Sequence, residues 1–181
     1  MHVTERNQRS NRGFSMIEVL VTILLMSVAL LGVAKMQAAA VSNTKVARVR
    51  SLIAIQAGSL AASMHGNRGY WAAGLAPATF SAATTTVTDG TGVLNAAADC
   101  VAAACTPAKL AAYDVQNWAT NLNAQFPSYA ATVNCSTGVG APVSCNITVT
   151  WAEKYIAINQ STAASASALT ATQSFTLYVE P

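Results

Sequence analysis

The chain has 181 residues, of which 52% are hydrophobic and only 9% charged, and its formal net charge is +3. That length holds one domain of ordinary size and leaves no room for a second, catalytic one; so apolar a composition calls for a membrane segment, a heavily packed surface, or both. The charge excess lies in Arg6, Arg9 and Arg12: without these and Glu5, the 10 basic and 7 acidic residues become 7 and 6. So nearly neutral a body argues against nucleic-acid binding by phosphate neutralisation.

Residues 1–13 are polar and basic, whereas Phe14 to Ala34, FSMIEVLVTILLMSVALLGVA, carry one charge, Glu18. As a helix rising about 1.5 Å per residue, this run reaches about 30 Å, enough to cross the hydrocarbon core of a bilayer. An arginine-rich flank holds the N-terminal end in the cytoplasm and sends everything beyond Lys35 into an oxidising compartment. A cleavable secretory signal with Ala38-Ala39-Ala40 as its cut site is the competing reading, but the apolar part of such a signal is shorter and uncharged. A plain anchor leaves Glu18 unexplained, since an ionisable group in a membrane helix costs on the order of 3 kcal/mol.

Arg12-Gly13, followed by Phe14-Ser15-Met16-Ile17-Glu18 and the apolar run, resembles the class III signal of type IV prepilins and pseudopilins. The resemblance implies that prepilin peptidase cuts between Gly13 and Phe14 and that Phe14 is N-methylated. It also implies that Glu18 registers assembly by meeting the Phe14 ammonium of a neighbouring subunit. On this reading residues 1–13 are a cleaved leader, 14–35 the membrane-spanning and filament-core half of one long helix, 36–66 its amphipathic half, and 67–181 a periplasmic head. The helix-breaking proline of many major pilins has no counterpart here.

Beyond Lys35, the residues Met36, Ala40, Val41, Val46, Val49, Ile53, Leu60 and Met64 recur at roughly helical spacing. Proline is absent from Phe14 to Met64, and Gly32 and Gly58 each cost only about 1 kcal/mol, so one continuous helix ending near Gly66 is expected. The cations Lys45, Arg48 and Arg50 read as its solvated face.

In the head, Ala72 to Val93 is rich in Ala, Thr, Gly and Ser and reads as a connector with one short strand near Thr84 to Thr88. Four cysteines follow, Cys100, Cys105, Cys135 and Cys145. Of the three possible connectivities, Cys100–Cys105 and Cys135–Cys145 close the shortest loops; a zinc site, to which the second spacing is poorly suited, and buried free thiols are the alternatives. Thr106-Pro107 starts a helix with Leu110, Val115, Trp118 and Leu122 on one face, and Phe126-Pro127 ends it. Asp114 and Trp118 lie one turn apart and could mark a binding site, although a core tryptophan with a bonded N–H is the plainer reading. Strands are expected at Tyr129–Cys135, Cys145–Ala152 and Gln173–Val179, with a polar turn at 160–172. The expected fold is α+β: a pilin fold, in which the amphipathic half of the long helix packs on a small antiparallel sheet beside a short extra helix.

Three segments are similar to the PilV group of minor pilins, the type IV pilus modification proteins: EVLVTILLMSVALLGVAKMQAAA, the loop from Asp99-Cys100 to Cys105 that leads into LAAYDVQNW, and the strand NITVTW. This resemblance implies a subunit of the bacterial inner membrane that joins other minor pilins and the major pilin at the inner-membrane assembly platform. It would prime the type IV pilus and remain at the tip. A type II secretion pseudopilin, and a tip adhesin whose contact surface is the connector and loops, with Tyr70, Trp71 and Phe80 as its candidate exposed aromatics, are the alternatives. Catalysis is not expected: beyond the cut only His65 remains of the two histidines, and Asp89, Asp99, Asp114, Glu153 and Glu180 are scattered over unlike segments. No catalytic residue, metal or cofactor is assigned.

Overall fold

The computed structural model describes residues 13–136, 142–154 and 170–181. The basic leader up to Arg12, half of the loop between Cys135 and Cys145, and most of the polar stretch 160–172 lie outside the described residues. The chain divides into two units, one ending at Val41 and the other running from Ser42 to Pro181.

Helix α1, Met16–Gly66, is unbroken over 51 residues. Abundant Ala, Leu and Met and the absence of Pro leave its hydrogen-bond ladder uninterrupted. The Ser15 carbonyl accepts from the backbone N–H groups of Glu18 and Val19 at 3.0 and 3.3 Å, and Glu18 in the first turn complements the positive end of the helix dipole. At the other end the Asn67 backbone N–H reaches back to the Ser63 carbonyl at 3.1 Å, and a one-turn helix α2, Arg68–Trp71, follows.

Ile53, Ala57, Leu60, Ala61 and Met64 form the buried face of α1, recurring every three or four residues as a core-facing stripe does. The stripe is shorter than the periodicity predicts. Val46 and Val49 are half-buried, and Met36 and Val41 are 75% and 56% exposed. Spacing marks which side of a helix is apolar but not how far along it a cover extends.

Five antiparallel strands form one sheet in the order β2-β1-β3-β4-β5: β1 Thr79–Ala83, β2 Thr86–Asp89, β3 Ala130–Cys135, β4 Cys145–Lys154 and β5 Thr170–Val179. The supposed connector therefore contains a β-hairpin, closed at Ala83 and Thr86 with Thr84 at φ +54° in its turn. Two-residue hairpin loops require such positive φ, and Thr-Thr does not advertise it. β5 likewise begins at Thr170, inside the stretch expected to be a turn. One row of the inner face runs Val87, Ala82, Ala131, Val149, Phe175 across all five strands; the next runs Asp89, Phe80, Val133, Ile147, Leu177.

Helix α3, Pro107–Gln125, has Thr106 as N-cap and ends where the Phe126 N–H meets the Leu122 carbonyl. Its buried residues are Ala111, Ala112, Val115, Trp118, Ala119 and Leu122, while Leu110, expected on that face, is only half-buried. Three alanines thus share the buried face with Val115, Trp118 and Leu122. The Trp118 indole N–H donates to the Gln56 carbonyl of α1 at 2.8 Å, the bonded core role, and Asp114 takes no part in that bond. The whole is the α+β, pilin-like architecture anticipated from the sequence, a long N-terminal helix with a five-stranded antiparallel sheet and short helices.

Arg50 is not merely part of a solvated face. Its Nε and Nη2 donate to the two carboxylate oxygens of Glu153 on β4 at 3.0 and 2.9 Å. The Glu153 side chain is only 3% exposed, and its Oε1 also accepts from the Trp151 indole at 3.2 Å. A carboxylate so enclosed leans on its cation, but the Arg50 side chain is 52% exposed, so the loss falls below the about 3–5 kcal/mol typical of a fully buried pair. Arg50→Met should therefore lower unfolding stability by about 1–2 kcal/mol in urea titration followed by tryptophan fluorescence, and Arg50→Met combined with Glu153→Gln should recover most of the loss.

Candidate processing and assembly site

Gly13, Phe14 and Ser15 precede the first residue of α1 and are not helical. The Gly13–Phe14 peptide thus lies ahead of the helix, between two exposed residues. A side chain built on Gly13 would meet nothing within 4 Å, and Phe14 is 83% exposed. Glu18 lies in the first helical turn and is exposed, on the same short stretch as both residues of the bond. Phe14, Met16, Val19 and Leu20 together line a shallow apolar hollow beside it.

From Val19 to Val33 every large apolar side chain of α1 is exposed. One 18-residue window reaches a mean hydropathy of 2.5 with none of it buried, so the helix is long and apolar enough to cross a membrane. Its hydroxyls do not spoil this: Thr22 and Ser27 donate to the carbonyls of Val19 and Leu24 at 2.9 and 2.7 Å, which settles their hydrogen bonds inside the helix.

A glycine ahead of the helix, an exposed aromatic after it, a carboxylate one turn on and an uncovered apolar helix lie together, and one family model matches this stretch: the prokaryotic N-terminal methylation motif, over residues 8–34. The chain carries that motif. The motif supports a type IV pilin-like precursor of the kind that prepilin peptidase processes, and the helix behind it has the length and apolarity of a membrane anchor. Pilin-like proteins with this motif are structural rather than catalytic. No curated protein and no solved structure matches the chain.

The structure joins the cysteines as Cys100–Cys105 and Cys135–Cys145. The second pair occupies directly opposed positions at the ends of β3 and β4; the first closes the loop that enters α3. The aromatics proposed as an adhesive surface are not on the surface. Tyr70, Trp71 and Phe80 are all buried, with Tyr70 edge-on to Trp71 at 5.2 Å and Trp71 6.0 Å from Phe80. Their apolar bulk builds the core where α2 meets β1, so they supply no exposed aromatics to an adhesive surface of connector and loops.

Sequence reasoning missed two polar groups that organise the head. Asp89, at the end of β2, is buried, and its Oδ1 accepts from the Thr91 and Gly92 N–H groups and the Thr91 hydroxyl, while its Oδ2 accepts from the Leu94 N–H at 2.6 Å. Burial pushes this carboxyl up, but the bonds from Leu94, Thr91 and Gly92 outweigh it and hold the pKa below the usual carboxylate value. An Asp-Gly-Thr-Gly run in the sequence was the available signal, since aspartate ahead of glycines commonly folds the following backbone onto itself. Tyr129 is buried with its hydroxyl 2.8 Å from the Thr84 carbonyl and 3.2 Å from that of Ala119, bridging the hairpin turn to α3. Burial pushes its pKa up to about 12.

Because the Asp89 pKa is depressed on folding, its contribution is present above the unfolded value of about 3.9 and disappears as pH falls through the folded one. Asp89→Asn, which turns an N–H2 toward backbone donors, should cost about 1–3 kcal/mol at neutral pH. The gap between variant and parent should narrow as pH falls from the unfolded value of about 3.9 through the lower folded one, as read by thermal unfolding across pH.

Proposed function

We propose that this chain is the precursor of a minor type IV pilin, nearest in character to PilV, that primes pilus assembly. The observation that carries the reading is the methylation motif over residues 8–34, whose Gly13 and Phe14 lie exposed ahead of an uncovered apolar helix. Support for the minor-pilin part comes from the segments resembling PilV, of which the Cys100–Cys105 loop running into α3 and the NITVTW stretch of β4 both lie in the head.

In this reading residues 1–13 are removed by prepilin peptidase, Phe14 becomes the methylated N-terminus, 14–35 anchor the subunit in the inner membrane and later line the filament core, and 36–181 form the amphipathic helical half and the periplasmic head. A Phe14 ammonium beside the Glu18 carboxylate of a neighbouring subunit neutralises a charge that hydrocarbon tolerates poorly. That pairing fixes the stagger between subunits. The partners are other minor pilins, the major pilin and the inner-membrane assembly platform, and the final position is the pilus tip.

Intact mass spectrometry of the protein from membranes with and without prepilin peptidase tests the processing step. The expected product starts at Phe14 and carries one added methyl, whereas Gly13→Val should leave the full-length chain, and a chain starting at Met1 in both strains defeats the proposal. Deleting the gene should abolish surface pili while major pilin persists in the membrane. Normal piliation with lost exoenzyme secretion would instead assign the chain to a type II secretion pseudopilus. Glu18→Leu should be cut normally yet fail to enter fibres, measured as the ratio of sheared to membrane-bound subunit.

A further inference from the structure

Among the described residues the buried hydroxyl of Tyr70 has no hydrogen-bond partner. Tyr70 lies on α2, just beyond the end of α1, and is 2% exposed. A hydroxyl taken out of water and left unbonded is destabilising, so folded proteins satisfy nearly all of them, and an enclosed water is a usual partner. Tyr129 shows the contrast: equally buried, its hydroxyl stands within bonding distance of two carbonyls.

The neighbouring acceptor with capacity to spare is Asp89. Tyr70 packs edge-on against Trp71, Trp71 lies against Phe80, and Phe80 stands directly opposite Asp89 in the β1–β2 ladder. Burial pushes the Tyr70 pKa up and the Asp89 charge pushes it the same way, so the field of that carboxylate reaches the hydroxyl. The two carboxylate oxygens are unequally used. Oδ1 accepts from the N–H and hydroxyl of Thr91 and from the Gly92 N–H, whereas Oδ2 accepts only from the Leu94 N–H among the described residues. Oδ2 therefore keeps a lone pair, beside a leucine that is fully buried.

The chemistry selects what joins the two groups. An anion is repelled by Asp89, and a cation would face the positive ends of the N–H and O–H dipoles that already converge on the carboxylate. Water accepts from the phenol and donates to the carboxylate, which satisfies both without adding charge. We infer that one enclosed water bridges Tyr70 Oη and Asp89 Oδ2, tying α2 to the turn that follows β2. The inference uses only the head and does not depend on the pilin reading.

A crystal structure of the detergent-solubilised full chain tests the bridge directly. The expected result is one ordered water within about 3.2 Å of both oxygens; a direct Oη–Oδ2 bond, or no water between them, overturns the assignment. Tyr70→Phe, which deletes the hydroxyl and keeps the ring, supplies a second reading by urea titration of the full chain. A bridged hydroxyl predicts about a fivefold smaller folding equilibrium constant for Tyr70→Phe, and a loss at least twofold smaller when Asp89→Asn has removed the charge that holds the water. A Tyr70→Phe chain as stable as the parent or more so, or an equal loss in both backgrounds, overturns it.

Discussion

The large side chains of α1 between Val19 and Val33 are all exposed, and apolar surface left in water costs about 25 cal/mol per Å2. That half of the helix is therefore at home only in lipid or among other apolar helices. Such surroundings offer no water to bond N–H and C=O groups, and a continuous helix meets that demand within one segment. The absence of proline and the inward bonding of Thr22 and Ser27 follow from the same constraint. Glu18 is then the group such surroundings tolerate least, which is why it is the residue in the apolar run that calls for a function.

Within the second unit α1 faces the opposite problem, because its backbone can rely on water but its apolar stripe needs cover. Ile53, Ala57, Leu60 and Met64 obtain it from the inner layer of the sheet and from α3. Polar links fix where that cover sits: Trp118 to the Gln56 carbonyl, Arg50 to Glu153, and Asn67 to the Pro107 carbonyl at 2.7 Å. Two of them tie α1, or the turn that ends it, to α3 and one ties it to β4, so rotating the helix would break its bonds to both elements at once.

The N-terminal feature was legible in the sequence because it is written in composition over consecutive residues: a basic stretch, Gly13, Phe14, Glu18 and an apolar run. β3, β4 and β5 were legible from alternation, with Ile147, Val149 and Trp151 inward and Asn146, Thr148 and Thr150 outward. The β1–β2 hairpin was not, because its inward residues include Ala82 and its outward ones Ser81 and Thr86, a contrast too small to register as period two. The Arg50–Glu153 pair joins residues 103 positions apart, and Asp89 acts through backbone donors that carry no side-chain signature. Local pattern reports which face is apolar; it does not report which polar group will be enclosed.

The Cys135–Cys145 bridge joins residues that stand directly opposite each other in the β3–β4 ladder. A slip of one residue between these strands would turn Val133 and Ala131 outward and place Asn134 and Thr132 in the core. The covalent bond forbids that slip, and it forms only where thiols are oxidised. The compartment thus contributes information that the side chains alone do not hold: before oxidation the register rests on packing, and afterwards it is locked. Oxidation of the two thiols is therefore a proofreading step for the sheet as well as a staple.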